Sequence, residues 1–147
     1  MIIFDLDGTL ALDHHRSHFL KGDTKYWDEY FNACVHDEPN QPIIDVLFAL
    51  AQSSDETIGI FTGRSAKVLD ETRMWLQMEG VWNHISEFRM RPVDDRTADD
   101  ELKLRWAKEV EAKYKTKITL VFEDRQRVVD MWRANGYTCC QVAPGAF

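Results

Sequence analysis

The chain has no apolar run near the roughly 20 residues that a helix needs to cross a bilayer, which excludes a helical membrane span. No basic segment followed by an apolar stretch opens it, so no secretory signal is read and the cytoplasm is the expected location. Cysteine is scarce: Cys34, Cys139 and Cys140 only. The number is odd, and no Cys-x-x-Cys is matched by a second. A disulfide framework and a zinc site are both disfavoured, and reduced, buried strand thiols are expected. An excess of positive charge is missing as well, with 18 Lys and Arg against 25 Asp and Glu and a net charge of −7. That balance argues against broad, sequence-independent nucleic-acid binding while leaving room for a local basic groove. There are no repeats, linkers or low-complexity tracts.

What is present is a globular composition, 44% hydrophobic and 29% charged. Residues 1–147 read as one domain, of a size that buries roughly 70% of its unfolded surface. Short β-rich runs at Ile2–Leu6, Thr57–Phe61, Ser86–Arg91, Ile118–Phe122 and Thr138–Val142 alternate with amphipathic stretches beginning near Gln41, Ser65, Asp99 and Gln126. Strands alternating with helices imply parallel strands and crossover connections. The expected fold is α/β, a Rossmann-like open parallel sheet of about five strands with helices on both faces. Ser65 is placed to cap the helix that Gly80 ends, and Asn135-Gly136 ends the last helix. Leu102, Trp106, Val110 and Tyr114 form one core-facing stripe. Residues 11–41 interrupt the alternation and read as a small helical cap over the strand ends, carrying His14, His15 and His18, then Trp27 and Tyr30 at helical spacing.

Ligands of open α/β sheets bind beyond the carboxyl ends of the strands. Asp5-Leu6-Asp7-Gly8-Thr9 follows the first strand, Thr62-Gly63-Arg64 the second, and Glu123-Asp124-Arg125 the fourth, while Lys103 lies one turn after Asp99 on a helix. Residues at i and i+2 share a face of a strand, and Gly8 supplies the backbone freedom to turn both carboxylates towards one pocket. A carboxylate can attack phosphorus as a nucleophile, and a second acid can protonate the leaving oxygen. Separately, Asp-Gly reads as a turn, Thr-Gly-Arg as a helix cap, Lys103 as a solvated helix residue and Glu123-Asp124 as a charged loop; the order in which they occur makes them a set.

In that order the motifs resemble those of the haloacid dehalogenase superfamily of aspartate-nucleophile phosphatases. A closer resemblance is to the phosphatase domain of bacteriophage polynucleotide kinase-phosphatases. It is carried by Asp99-Asp100-x-x-Lys103, by Asp124-Arg125-x-x-Val128-Val129-x-Met131-Trp132-Arg133 and by Gln141-Val142-Ala143-x-Gly145-x-Phe147. Glu123, where that family carries Asp, departs from the pattern. The resemblance implies Asp5 as an ionised nucleophile forming an aspartyl-phosphate. Asp7 is implied as an acid that carries a proton when substrate binds, with the two pKa values pushed apart. Mg²⁺ is implied on the Asp5 and Asp124 side chains and the Asp7 backbone carbonyl. Lys103 would neutralise phosphoryl oxygens and crowded carboxylates, and Thr62 with the amide of Gly63, at a helix start, would hold a phosphoryl oxygen. Asp7 itself favours phosphate-ester hydrolysis, since the transport ATPases of the superfamily carry Thr there.

Arg64, Arg96 and Arg125 are the arginines expected to hold the reacting phosphate and the strand beyond it; Arg89, Arg91 and Arg127 are further candidates or surface ion pairs. The resemblance implies 3′-phosphorylated ends of DNA or RNA as substrate, in end repair, and host cytoplasm if the protein is phage-encoded. No protein partner is evident. The chain has no Gly-x-x-x-x-Gly-Lys-Ser/Thr, the mark of the kinase half of such enzymes. A nucleotidase of the same mechanism and a non-catalytic binding domain are the other readings.

Overall fold

The computed structural model describes residues 1–53 and 55–145. Its centre is β1 (Ile2–Phe4), which pairs in parallel on one side with β4 (Ile58–Ser65) and on the other with β6 (Leu120–Arg125). Beyond these lie β5 (Glu87–Arg91) against β4 and β7 (Cys139–Gly145) against β6, again parallel. The order across the sheet is β5-β4-β1-β6-β7. A central strand covered on both faces has no solvent side, so Ile2-Ile3-Phe4 is unbroken apolar sequence. Ile2 and Phe4 pack with Ile58, Ile60 and Phe122 beneath α2 (Gln41–Ser53) and α3 (Leu69–Met78). Met1 and Ile3 face the other way, into a core with Phe61 and Val121 beneath α4 (Asp99–Tyr114) and α5 (Gln126–Ala134). The Phe4 and Phe122 rings stack with centroids 4.5 Å apart, fixing the β1–β6 register just below the strand ends.

Between β1 and α2 stands the segment that the sequence marks as a cap: β2 (Ala11–Leu12) paired antiparallel with β3 (Glu38–Pro39), α1 (Trp27–Asn32), and 3₁₀ turns at Ser17–Leu20 and Ala33–His36. Among the described residues no helix is long and apolar enough to cross a membrane.

The sequence reading needs correction at several places. Tyr114 does not join the core stripe: it is 42% exposed, and its hydroxyl donates to Glu87. Ser65 caps a 3₁₀ turn at Ala66–Val68 rather than α3 itself, accepting from the Lys67 amide. Strands β4 and β6 run past Phe61 and Phe122 to Ser65 and Arg125, because pairing continues through irregular register. All three thiols are unbridged, but Cys140 is exposed rather than buried. Phe147, part of the C-terminal motif, lies outside the described residues.

Trp132 is fully buried against Tyr137, and its indole N–H has no hydrogen-bond partner among the described residues. Trp132→Ala should therefore cost about 3–5 kcal/mol in urea unfolding. Trp132→Phe, which also removes an unpaired donor, should cost much less.

Candidate active site

Two charge clusters stand at the carboxyl ends of the strands. In the first, Asp5 follows β1 and is buried, and its Oδ1 accepts from Lys103 Nζ at 2.6 Å. Lys103 reaches it from α4 and also donates to Glu123 Oε2 at 2.8 Å, with Asp99 Oδ2 3.6 Å away. Asp124 follows Glu123 in β6, and ligand oxygens of Asp5, Glu123 and Asp124 lie within 4.8 Å of one another. Gly8 makes this approach possible. Its φ is +80°, and a Cβ there would overlap the Asp124 carboxylate.

One lysine thus faces four carboxylates. Burial, then Glu123, pushes the Asp5 carboxyl well above its ordinary range despite Lys103. Burial likewise raises Glu123 to about 7, and burial with the Asp5 charge raises Asp124 to about 7. Burial opposes charge on Lys103, but Asp5, Asp99 and Glu123 together outweigh it and raise its pKa. The site is short of positive charge. Its donors are hard carboxylate oxygens, the ligand type that Mg²⁺ takes. Asp5 and Asp124 fit the metal site inferred from sequence, and Glu123 is a third carboxylate beside them.

The second cluster holds Asp7. Arg64 donates to its Oδ1 from Nε at 2.9 Å and Nη2 at 2.7 Å, and Arg16 donates from Nη2 at 2.5 Å. Behind the arginines, the fully buried Asp37 carboxylate accepts from Arg16 Nε at 2.6 Å and Arg64 Nη2 at 2.5 Å. His15 Nε2 lies 2.9 Å from Asp37, and the Trp75 indole donates to the Asp37 carbonyl at 2.8 Å. Arg16 also lies over the Tyr30 ring, whose hydroxyl donates to Asp13. Burial works against charge on Asp7, but Arg64 and Arg16 outweigh it and bring its pKa down to about 2. Without substrate Asp7 is therefore ionised, whereas the sequence reading gives it a proton once substrate binds.

The clusters share a cavity of about 670 Å³ lined by Asp5, Asp7, Gly63, Glu123, Asp124 and Arg125, with Arg91 and Arg96 also in its wall. Arg64, expected on the substrate, is fully buried and outside this wall, because Asp7, Asp37 and Thr72 engage its guanidinium. Thr62 is also fully buried, and its hydroxyl accepts from the Arg64 amide at 3.1 Å. Gly63 does reach the cavity, though from the strand extension rather than a helix start, and a Cβ on it would sit 2.5 Å from Asp99 Oδ1. Arg125 lies 3.5 Å from Asp99 Oδ2. Arg91 donates to the carbonyls of Gly63 and Thr97 and pins the 92–98 loop. Arg89 pairs with Glu87 and Glu109, and Arg127 with Asp100. His14, His15 and His18 are not in the wall; Trp27 and Tyr30 both are, Trp27 45% exposed and Tyr30 buried. The sequence reading missed Arg16 and Asp37. Both lie in the cap, and the Arg64 partner of Asp37 is 27 positions away. A lone arginine and a lone aspartate carry no local signal.

A parallel α/β sheet with this acidic centre and a small insertion after its first strand defines a haloacid dehalogenase-type phosphatase domain. The family of the polynucleotide kinase PNKP phosphatase domain matches over residues 1–147, and the chain belongs to it. A baculovirus protein, "Putative bifunctional polynucleotide kinase/RNA ligase" of Autographa californica nuclear polyhedrosis virus, is 32% identical over 135 residues, which is 90% of this chain and 17% of that protein. Chains in two solved structures of the Pnkp1/Rnl/Hen1 RNA repair complex superpose with TM-scores of 0.77 and 0.79 at 26% and 28% identity, covering 99% of this chain and 43% and 46% of theirs. The chain thus spans about a sixth of the viral relative and under half of the repair-complex chains. A haloacid dehalogenase-like hydrolase of Streptococcus pneumoniae, SP0104, shares the fold at 14% identity and a TM-score of 0.62, covering 95% of this chain and 82% of its own.

Gly8→Ala should displace Asp124 and lower phosphatase turnover by about 100-fold while leaving a folded protein by circular dichroism. Asp37→Asn leaves two buried guanidinium groups sharing the single carboxylate of Asp7 and should cost about 3–5 kcal/mol in urea unfolding.

Proposed function

We propose that the chain acts as one phosphatase domain, with residues 11–41 as its cap, and removes 3′-phosphates from nucleic-acid ends through a phosphoaspartate on Asp5. The observation that carries this is the Asp5–Lys103–Glu123–Asp124 cluster sharing one open cavity with Asp7. An Asp5 carboxylate oxygen forms the new bond to phosphorus, and the bond from phosphorus to the 3′-oxygen breaks. Lys103 holds Asp5 in place and offsets its charge. Asp5 and Asp124, with the Asp7 backbone carbonyl, would hold Mg²⁺, which when bound neutralises phosphoryl oxygens and keeps Asp5 ionised.

Asp7 moves the proton. It gives one to the departing 3′-oxygen and takes one from the water that cleaves the phosphoaspartate. Its two arginines keep it ionised before substrate arrives, so the first proton comes with the phosphomonoester, whose second ionisation lies at about pH 6. Arg64 and Arg16 act on Asp7 as positioning residues, while Arg96 and Arg125 are left to meet substrate. The nucleic-acid substrate is supported by family membership and by the viral and RNA-repair relatives. Those solved relatives occur in complexes named for three proteins, so the expectation of no protein partner is not carried forward.

Phosphate release should be measured from matched oligonucleotides with a 3′- or 5′-phosphate and from free mononucleotides, with Mg²⁺ and with EDTA. Release should depend on Mg²⁺, favour the 3′-phosphorylated oligomer, and disappear in Asp5→Asn. Preference for mononucleotides would instead identify a nucleotidase of the same mechanism.

A further inference from the structure

The cavity wall holds two features that the phosphoryl chemistry does not use. One is Trp27, at the start of α1, 45% exposed although it lines the cavity. Phe31 stacks against it with centroids 5.8 Å apart and planes 28° from parallel, and Tyr30 meets it edge-on at 6.0 Å. The indole is therefore backed and oriented by its neighbours rather than loose, and keeps surface towards the cavity. The second feature is Arg96, in the loop after β5. Arg96 is exposed, lines the same cavity and forms no ion pair with any described residue. Its loop is held in place around it. Arg91 donates to the carbonyls of Asp95 and Thr97, and the Asp95 carboxylate accepts from the Thr97 amide and lies 3.5 Å from Arg105. Asp94, exposed beside Arg96, is the remaining acid of the loop facing the cavity.

A phosphate brought to Asp5 leaves the rest of its ester pointing out through this cavity. A cavity of about 670 Å³ holds more than a phosphate. A flat aromatic surface and an unpaired guanidinium in one wall match the two repeating parts of a polynucleotide, the base and the linking phosphate.

We propose that Trp27 stacks the base of the 3′-terminal nucleotide and that Arg96 pairs with the phosphate linking that nucleotide to the one before it. This rests on the 3′-phosphatase reading and deepens it: the two residues select an end within a strand over a free monomer. One exposed ion pair, Lys67 to Asp28 at 3.2 Å, bridges the rim of the cavity beside Trp27, with both residues in the wall. Such an exposed pair contributes little to stability.

The test uses 3′-phosphorylated oligonucleotides whose terminal nucleotide is intact or abasic, together with a 3′-mononucleotide, and the wild type, Trp27→Ala, Trp27→Phe and Arg96→Ala. Trp27→Ala should raise KM for the intact oligomer by about tenfold, bringing it to the abasic value, and should leave the abasic oligomer unchanged. Trp27→Phe should retain most of the affinity. Arg96→Ala should raise KM for the oligomers several-fold and not for the mononucleotide, which has no linking phosphate. Equal effects of Trp27→Ala on intact and abasic ends, or of Arg96→Ala on oligomer and monomer, would overturn the subsite and leave the phosphatase reading standing. Wild-type inactivity on every 3′-phosphorylated end would overturn the phosphatase reading, and the subsite with it.

Discussion

Two guanidinium groups and two carboxylates share a space almost without water, and the arrangement of the site follows from them. Arg64 belongs to the sheet and Arg16 to the cap; Asp7 follows the central strand and Asp37 leads into the cap's closing strand. Each arginine touches both acids. The quartet therefore fastens the cap to the strand ends and orients the carboxylate that faces substrate. Buried charges of this kind are tolerable only when every partner is present. The planar fork of arginine suits the task, since one group can satisfy two carboxylates along separate edges.

The other side of the cavity is built on the opposite imbalance. Lys103 stands among Asp5, Asp99 and Glu123, with Asp124 close by, and Asp99 also meets Arg91 and Arg125. Two carboxylates only two residues apart in sequence thus occupy different electrostatic surroundings. Asp7 is over-supplied with positive charge, and Asp5 is under-supplied. The missing side chain at Gly8 lets the Asp124 carboxylate close in beside Asp5.

Much of this was legible in the chain. Because parallel strands put their functional residues at one edge, apolar runs followed by Asp-x-Asp, Thr-Gly-Arg and Glu-Asp pointed to the carboxyl edge of the sheet, although β4 and β6 continue through the last two motifs. The helix starts at Gln41, Asp99 and Gln126 were marked by local pattern alone. What escaped was non-local. Arg64 sits beside Gly63, which does line the cavity, yet its side chain turns inward to meet Asp37 from a segment that gives no periodic signal. Tyr114 continued a four-residue spacing, but the last turn of α4 leaves the core, and a hydroxyl near Glu87 found a better partner outside. Nothing local to Asp7 signals that two arginines, Arg64 and Arg16, converge on its carboxylate and lower its pKa.

The buried quartet also constrains how this site can change over generations. Replacing any one of Asp7, Arg16, Asp37 or Arg64 leaves a largely buried group of three with one net charge uncompensated. Viable departures have to exchange members in compensating pairs, an acid together with the arginine that faces it. Drift at these four positions is coupled, whereas the exposed residues of the cavity wall, Trp27 and Arg96 among them, are at liberty to vary one at a time. The same scaffold can therefore shift what it recognises without disturbing how it reacts.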